Sequence, residues 1–114
     1  MLLVGDLTDQ IFMLNCMTKC KPDEIYNLAA QTQVHHSFEC PAHTFEVNVN
    51  GLINICQGLV TLGMQENVRV FHASTSEMFG DFVTGANETI VSEGFPFNPM
   101  SPYAASKISA YYLV

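Results

Sequence analysis

Apolar residues follow two different periods along this chain, and segments of the two kinds alternate. Val68 to Ser74 (VRVFHAS) alternates apolar and polar positions and is rich in β-formers, the period-2 pattern of a strand. Phe45, Val49, Leu52, Ile53, Cys56, Leu59 and Val60 recur instead at i, i+4, i+7 and i+8, which predicts one buried face of a long helix. Pro41 suits the first turn of that helix and Gly63 its C-cap. Upstream, Glu24 to Ala30 (EIYNLAA) reads as a strand. A helix precedes it, capped by Thr8 or Asp9 and stopped by Pro22, with Ile11, Leu14, Met17 and Thr18 on its apolar face. Met1 to Val4 reads as the end of a buried strand that turns at Gly5-Asp6. Gln31 to Phe38 is polar and reads as a loop. Thr75 to Met100 holds three of the seven glycines and no clean periodicity, so it reads as a long loop, a kind of segment that is usually functional. Pro102 opens a last helix. Strand, helix, strand, helix, strand, loop and helix in this order predict an α/β fold with a parallel sheet.

Composition closes off several classes of function. Hydrophobic residues make up 48% of the 114 and charged residues 13%, so the chain is core-forming rather than disordered. The net charge of −7 repels phosphate backbones, which argues against nucleic-acid partners. A single nucleotide remains possible, because backbone N–H groups and a helix N-terminus bind it locally. No run approaches the roughly 20 apolar residues of a membrane span. The first residues, MLLVGDLTD, lack the basic start and long apolar run of a signal peptide. Cys16 and Cys20 stand one helical turn apart, but Cys40 and Cys56 form no second pair with ligand spacing. Buried or half-buried free thiols in a reducing cytoplasm, with no metal site, are therefore expected.

The residues that carry chemistry cluster late in the chain. In Ser101-Pro102-Tyr103-Ala104-Ala105-Ser106-Lys107, the tyrosine and lysine lie four apart on one helix face. An ammonium beside a phenol favours the phenolate, and a phenolate nearer neutral pH can take a proton from a sugar hydroxyl. Tyr-x-x-x-Lys alone is common by chance. Ala73-Ser74-Thr75-Ser76-Glu77-Met78-Phe79-Gly80 adds weight, since it sits at the carboxyl end of a strand, where ligands bind in open parallel sheets. Thr75 offers a hydroxyl there and Glu77 a carboxylate. Taken singly, Ser74 to Ser76 would be a strand-capping turn and Glu77 a solvated charge.

Together these stretches resemble the extended short-chain dehydrogenases/reductases of the NAD-dependent epimerase/dehydratase family. Within that family they are most similar to the GDP-mannose 4,6-dehydratases. Gly5-Asp6-Leu7-Thr8-Asp9 and Glu24 to Gln31 (EIYNLAAQ) belong to the same resemblance, as do Ser37-Phe38 and Asn50-Gly51-Leu52. Relatives that dehydrate dTDP-glucose usually have Asp-Glu where this chain has Ser76-Glu77. The resemblance implies a partial Rossmann-like, doubly wound parallel sheet, running from about the third strand to the active-site helix. Residues 1–114 would then be part of one NAD(P)-binding domain. It implies NADP as cofactor and GDP-mannose as substrate. Conversion to GDP-4-keto-6-deoxymannose would be the first step toward GDP-fucose and related deoxysugars, in a homo-oligomer.

By resemblance, Tyr103 takes the C4 hydroxyl proton, Thr75 holds the C4 oxygen, Glu77 removes the C5 proton, and Lys107 holds the cofactor ribose and tunes Tyr103. Asp6 and Leu7 would lie beside the adenine. Ala29, Ala30 and Gln31 would lie along the pyrophosphate–ribose edge, with Ser74, Tyr103 and Lys107 completing the cofactor contacts. Close strand–helix packing would account equally well for Ala29 and Ala30. His35 and His36 are expected at the surface or on the substrate side. The Phe45–Val60 stripe is expected to be core, and in the family this helix also serves a subunit interface. Two alternatives stay open. One is another NAD(P)-dependent nucleotide-sugar epimerase or dehydratase, or a UDP-glucuronate decarboxylase. The other is an inactive fragment, since no Gly-x-x-Gly-x-x-Gly loop occurs in these residues. Met100 stands where the family commonly has Arg, and the Gly80–Pro99 loop is a few residues long for it.

Overall fold

The computed structural model describes residues 1–82 and 92–114, leaving aside the side chains of residues 81 and 82. Residues 83–91 of the predicted Thr75–Met100 loop lie outside that description. Helix α1 (Gln10–Cys20) starts where Asp9 accepts a hydrogen bond from the Phe12 amide, 2.9 Å. It ends at Lys21, a left-handed residue (φ 45°) whose N–H returns to the Met17 carbonyl. Strand β1 (Glu24–Asn27) comes next. Then come helix α2 (Val34–Glu39), helix α3 (Pro41–Phe45), a π-helical turn (Glu46–Asn50) and helix α4 (Gly51–Thr61). Leu62 caps α4, and Gly63 (φ 66°) reverses the chain. The Gly63 amide bonds Val60 O and the Met64 amide bonds Leu59 O, which satisfies two orphan carbonyls. Strand β2 (Arg69–His72) pairs in parallel with β1 in the register Glu24↔Arg69, Ile25↔Val70, Tyr26↔Phe71 and Asn27↔His72. Two short 3₁₀ turns within Ser76–Phe82 are separated by a kink at Gly80, and helix α5 (Pro102–Tyr111) ends the chain.

Parallel strands need a crossover, and here helices supply it. The core forms where α1, α4 and α5 meet the inner sheet face. Met17, Leu52, Ile55, Leu59 and Ala110 are buried together, with Ile25 and Val70 packed against them. Leu52 and Ile55 are fully buried, each worth roughly 1.5–3 kcal/mol of apolar transfer. Because strand side chains alternate, Tyr26 and Phe71 point to the opposite face. Their rings pair at 5.9 Å and stay more than half exposed. Among the described residues no helix is long and apolar enough to cross a membrane.

Several expectations are corrected. Met1 to Val4 forms no strand and is exposed, because among the described residues the sheet holds β1 and β2 alone and no strand pairs with residues 1–4. Gln31 to Phe38 is not all loop. α2 forms within it, docked through buried Ser37, so a local polar pattern gives way to tertiary packing. On α1, Ile11 and Thr18 of the expected apolar face are exposed, whereas Met17 is buried and Leu14 half-buried as expected. Of the thiols expected to be buried or half-buried, Cys16 and Cys56 are half-buried, while Cys20 and Cys40 are exposed. On the long helix, Phe45, Ile53 and Val60 lie outward, whereas Thr44, Asn48, Leu52, Ile55 and Leu59 face in. The π turn explains part of this shift, since the Gly51 N–H bonds Glu46 O across five residues and so rotates α4 relative to α3.

His72 gives the fold a pH dependence. Asn27 Nδ2 lies 3.0 Å from His72 Nδ1, a donation that requires that nitrogen to be unprotonated. Burial, and then the Lys107 charge, hold the imidazole below its usual range. A depressed histidine binds its proton more readily in the unfolded chain, so stability falls as pH drops below the unfolded value near 6.5. Thermal unfolding of the complete gene product is expected to show this acid loss, and His72→Gln to flatten it. An equally steep loss in His72→Gln would assign the effect elsewhere.

Candidate active site

Helix α5 is built to bury one polar-bearing face. Ser101 caps it, its hydroxyl accepting from the Ala104 amide at 3.0 Å, and Pro102 occupies the first turn. Tyr103, Ala104, Ser106, Lys107 and Ala110 are buried. Only 7% of Tyr103 and 3% of Lys107 are exposed. The Lys107 ammonium donates to the Ala73 carbonyl at 2.7 Å. Ala73 is the first residue past β2, and its own amide donates to Asn27 O at 3.1 Å. The tyrosine–lysine turn is thus fastened to the carboxyl ends of both strands. Burial pushes the lysine below its usual range. An ammonium has three donors, and the Ala73 bond uses one.

The turn after β2 carries the other expected residues. Ser74 Oγ donates to Met78 Sδ at 2.7 Å, and Met78 is buried. Thr75 is half-buried and its hydroxyl accepts from the Glu77 amide at 3.3 Å. A groove of about 480 Å³ opens here, lined by Ser74, Thr75, Ser76, Met78, Phe79, Glu93, Phe97 and Tyr111. Glu77 is exposed, and neither it nor Tyr103 lines this groove. The structure therefore brings Thr75 and Ser74 together at the strand end and fixes Lys107 beneath them. It does not aim the Glu77 carboxylate into the same space. At Gly80 (φ 57°) a side chain would run into the Asn98 carbonyl, so only glycine permits this close return of the chain.

A second groove, of about 480 Å³, gathers the other expected positions. Asp6, Leu7, Ala29, Ala30 and Gln31 all line it, with Gly5, Leu28, His43 and Val47. Residues 5–8 form no strand, yet they are held in place. Asn54 Nδ2 donates to the carbonyls of Leu7 and Thr8 at 3.0 and 3.1 Å, and Leu7 packs on Gly51. Two hydrogen bonds from Thr8, both 2.8 Å, hold the Asp6 carboxyl below the usual carboxylate range. Alanines at 29 and 30 put no side-chain atom beyond Cβ into this groove. His35 and His36 sit on α2, each within 3.6 Å of Glu39, with the His36 ring edge-on to His43.

Sequence reasoning missed the connection between this groove and α5. Asn48 lies in the π turn and is 2% exposed. Its Oδ1 accepts from Gln31 N at 2.8 Å, and its Nδ2 donates to Gln31 O at 3.1 Å and to Ser106 Oγ at 2.9 Å. Ser106 in turn donates to the Tyr103 carbonyl at 2.7 Å, and Gln31 Nε2 donates to Thr44 Oγ1 at 2.9 Å. One signal was present in the sequence. Thr44 and Asn48 are polar residues at i, i+4 in line with the Leu52 face, and a buried amide must find partners.

All 114 residues match the family model described as GDP-mannose 4,6 dehydratase. The chain belongs to this family. A GDP-mannose 4,6 dehydratase of Drosophila melanogaster is 43% identical over 110 residues, 96% of this chain and 27% of that relative. The GDP-mannose 4,6-dehydratase of Vibrio cholerae is 40% identical over 96% of this chain and 28% of its own length. The chain thus spans a little over a quarter of the GDP-mannose 4,6-dehydratases it matches. Among solved structures, RMD from Pseudomonas aeruginosa, complexed with NADPH, superposes with a TM-score of 0.84. It is 28% identical and covered over 36% of its length by 97% of this chain. DesIV, the dTDP-glucose 4,6-dehydratase of Streptomyces venezuelae with NAD and TYD bound, gives 0.79 at 31% identity, covering 96% of this chain and 31% of that one. The expected Rossmann-type α/β class and the GDP-mannose 4,6-dehydratase family both hold.

Proposed function

We propose that this chain is the part of an NADP-dependent GDP-mannose 4,6-dehydratase that bears the proton-transfer residues. The observation that carries this is the fastening of Lys107 to Ala73, with Tyr103 buried in the same helical turn. The pair lies at the carboxyl end of a parallel strand, in a chain of this family. Thr75 would donate to the sugar O4, and Tyr103 would take the proton from the same hydroxyl. A nicotinamide cofactor held by these residues would supply the hydride chemistry, as acceptor for C4 and donor for C6. Oxidation at C4 acidifies the C5 hydrogen, which Glu77 would remove as water leaves C6. A base is essential to that elimination and unnecessary for 4-epimerisation, so Glu77 favours the dehydratase over an epimerase. Asp6 and Leu7 would lie beside the adenine, Ala29, Ala30 and Gln31 along the pyrophosphate–ribose edge, and Lys107 would hold the ribose. NADPH is bound in the RMD structure and NAD in the DesIV structure, which supports a nicotinamide cofactor; NADP is the choice that the family resemblance implies.

The test is a product assay on the complete gene product. Loss of water from GDP-mannose, giving GDP-4-keto-6-deoxymannose, is expected. An epimer, or carbon dioxide from UDP-glucuronate, would move the protein to another branch of the superfamily.

Residues 1–114 form part of one NAD(P)-binding domain in this proposal, and they contain no Gly-x-x-Gly-x-x-Gly loop to receive the pyrophosphate. A polypeptide of these residues alone is accordingly expected to show no saturable NADP binding by calorimetry. Stoichiometric binding would show that the Asp6–Gln31 groove suffices.

A further inference from the structure

Lys107 and its neighbour Ser106 reach two different strand ends. Lys107 bonds Ala73, at the exit of β2. Ser106 bonds Asn48, which grips both the N–H and the carbonyl of Gln31, on the chain leaving β1. Asn48 and Ser106 are 2% and 0% exposed. The Asn48 side chain uses both amide hydrogens and its oxygen, and the Ser106 hydroxyl both donates and accepts. Its partners lie 17 and 58 residues away in sequence. Stability alone does not require such a link, since two apolar residues of similar volume would fill the space without any polar group to satisfy.

We infer that Asn48 and Ser106 are positioning residues that hold the Gln31 edge of the cofactor groove in register with the helix carrying Tyr103. This rests on the dehydratase function proposed above. In that reaction one carbon loses a hydride toward the cofactor groove and its hydroxyl loses a proton to Tyr103. Both must lie in reach of one substrate pose, and an error near 1 Å can cost about 10²-fold. The Ala73 bond fixes α5 against β2, and the Asn48 bond fixes it against the exit of β1. Two anchors on adjacent residues leave the helix little freedom to slide or roll.

The experiment compares the complete gene product with Ser106→Ala, Asn48→Asp and the double variant. Both changes are close to isosteric. Each single variant is expected to lower kcat about 10-fold and leave KM for GDP-mannose within about twofold, with the rate effect of C4 deuteration enlarged. The double variant is expected to be no worse than either single, because one link is broken once. A merely structural role would lower activity with the folded fraction and leave the isotope effect unchanged, which would overturn the inference. Additive losses would do the same. Hydrogen exchange of the Gln31 amide is the readout that needs no turnover. It is expected to speed up in both variants, and unchanged exchange in Ser106→Ala would also overturn the link. If the unaltered protein does not dehydrate GDP-mannose, the dehydratase function fails separately, and Gln31 exchange alone decides whether the link exists.

Discussion

Tyr103→Phe in the complete gene product is expected to abolish dehydration of GDP-mannose. The change removes one oxygen and leaves a ring of the same shape in a site that is only 7% exposed. Packing of α5 should therefore survive, as should the Lys107–Ala73 and Ser106–Asn48 bonds, which do not use the phenol. The loss is confined to the group placed to take the C4 hydroxyl proton. General-base contributions run to about 10²–10⁴-fold, and the loss should fall in that range, because Lys107 in the same turn keeps its bond to Ala73 and has no hydroxyl to replace the phenol. Product formation measures it, with circular dichroism and NADP affinity as folding controls. A variant within about tenfold of the parent would remove Tyr103 from the chemistry and leave the helix a structural element.

Glu77→Gln should divide the reaction rather than stop it. The amide keeps the volume and loses the basicity. Oxidation at C4 is expected to proceed, seen as near-ultraviolet absorbance of reduced nicotinamide. Removal of the C5 proton, and with it water loss, should fall by about 10²–10⁴-fold. Exchange of the C5 hydrogen with deuterated solvent should fall in parallel. This is the more searching of the two tests. Glu77 is exposed and outside the groove that Thr75 lines, so its carboxylate must turn inward for the chemistry. Normal dehydration by Glu77→Gln would transfer the base role to another residue.

The parts of the fold that could be read from the chain are those fixed by local chemistry. Asp9, Pro102 and Gly63 each mark a helix end: Asp9 accepts from an orphan amide, Pro102 has no amide to leave unpaired, and Gly63 takes the left-handed turn after the last residue. Tyr103 and Lys107 were legible because a four-residue spacing on a helix is a geometric statement. The illegible parts depend on distant partners. Met1 to Val4 has the composition of a strand, but a strand exists only through a neighbour's hydrogen bonds. α2 has little apolar periodicity and forms against the tertiary structure. Asn48 falls beside the apolar stripe, and its role appears only with Gln31 and Ser106, brought from elsewhere in the chain.

The π turn at Glu46–Asn50 has a genetic consequence. Each residue of a regular helix advances its successors by about 100°, so a π turn amounts to one residue inserted into an α-helix. Deleting one codon from this stretch would let the rod close into unbroken α-helix while displacing Leu52, Ile55 and Leu59 from the core, or Thr44 from Gln31. Length variation, tolerated in most surface connections, should be selected against here even where every substitution is accepted.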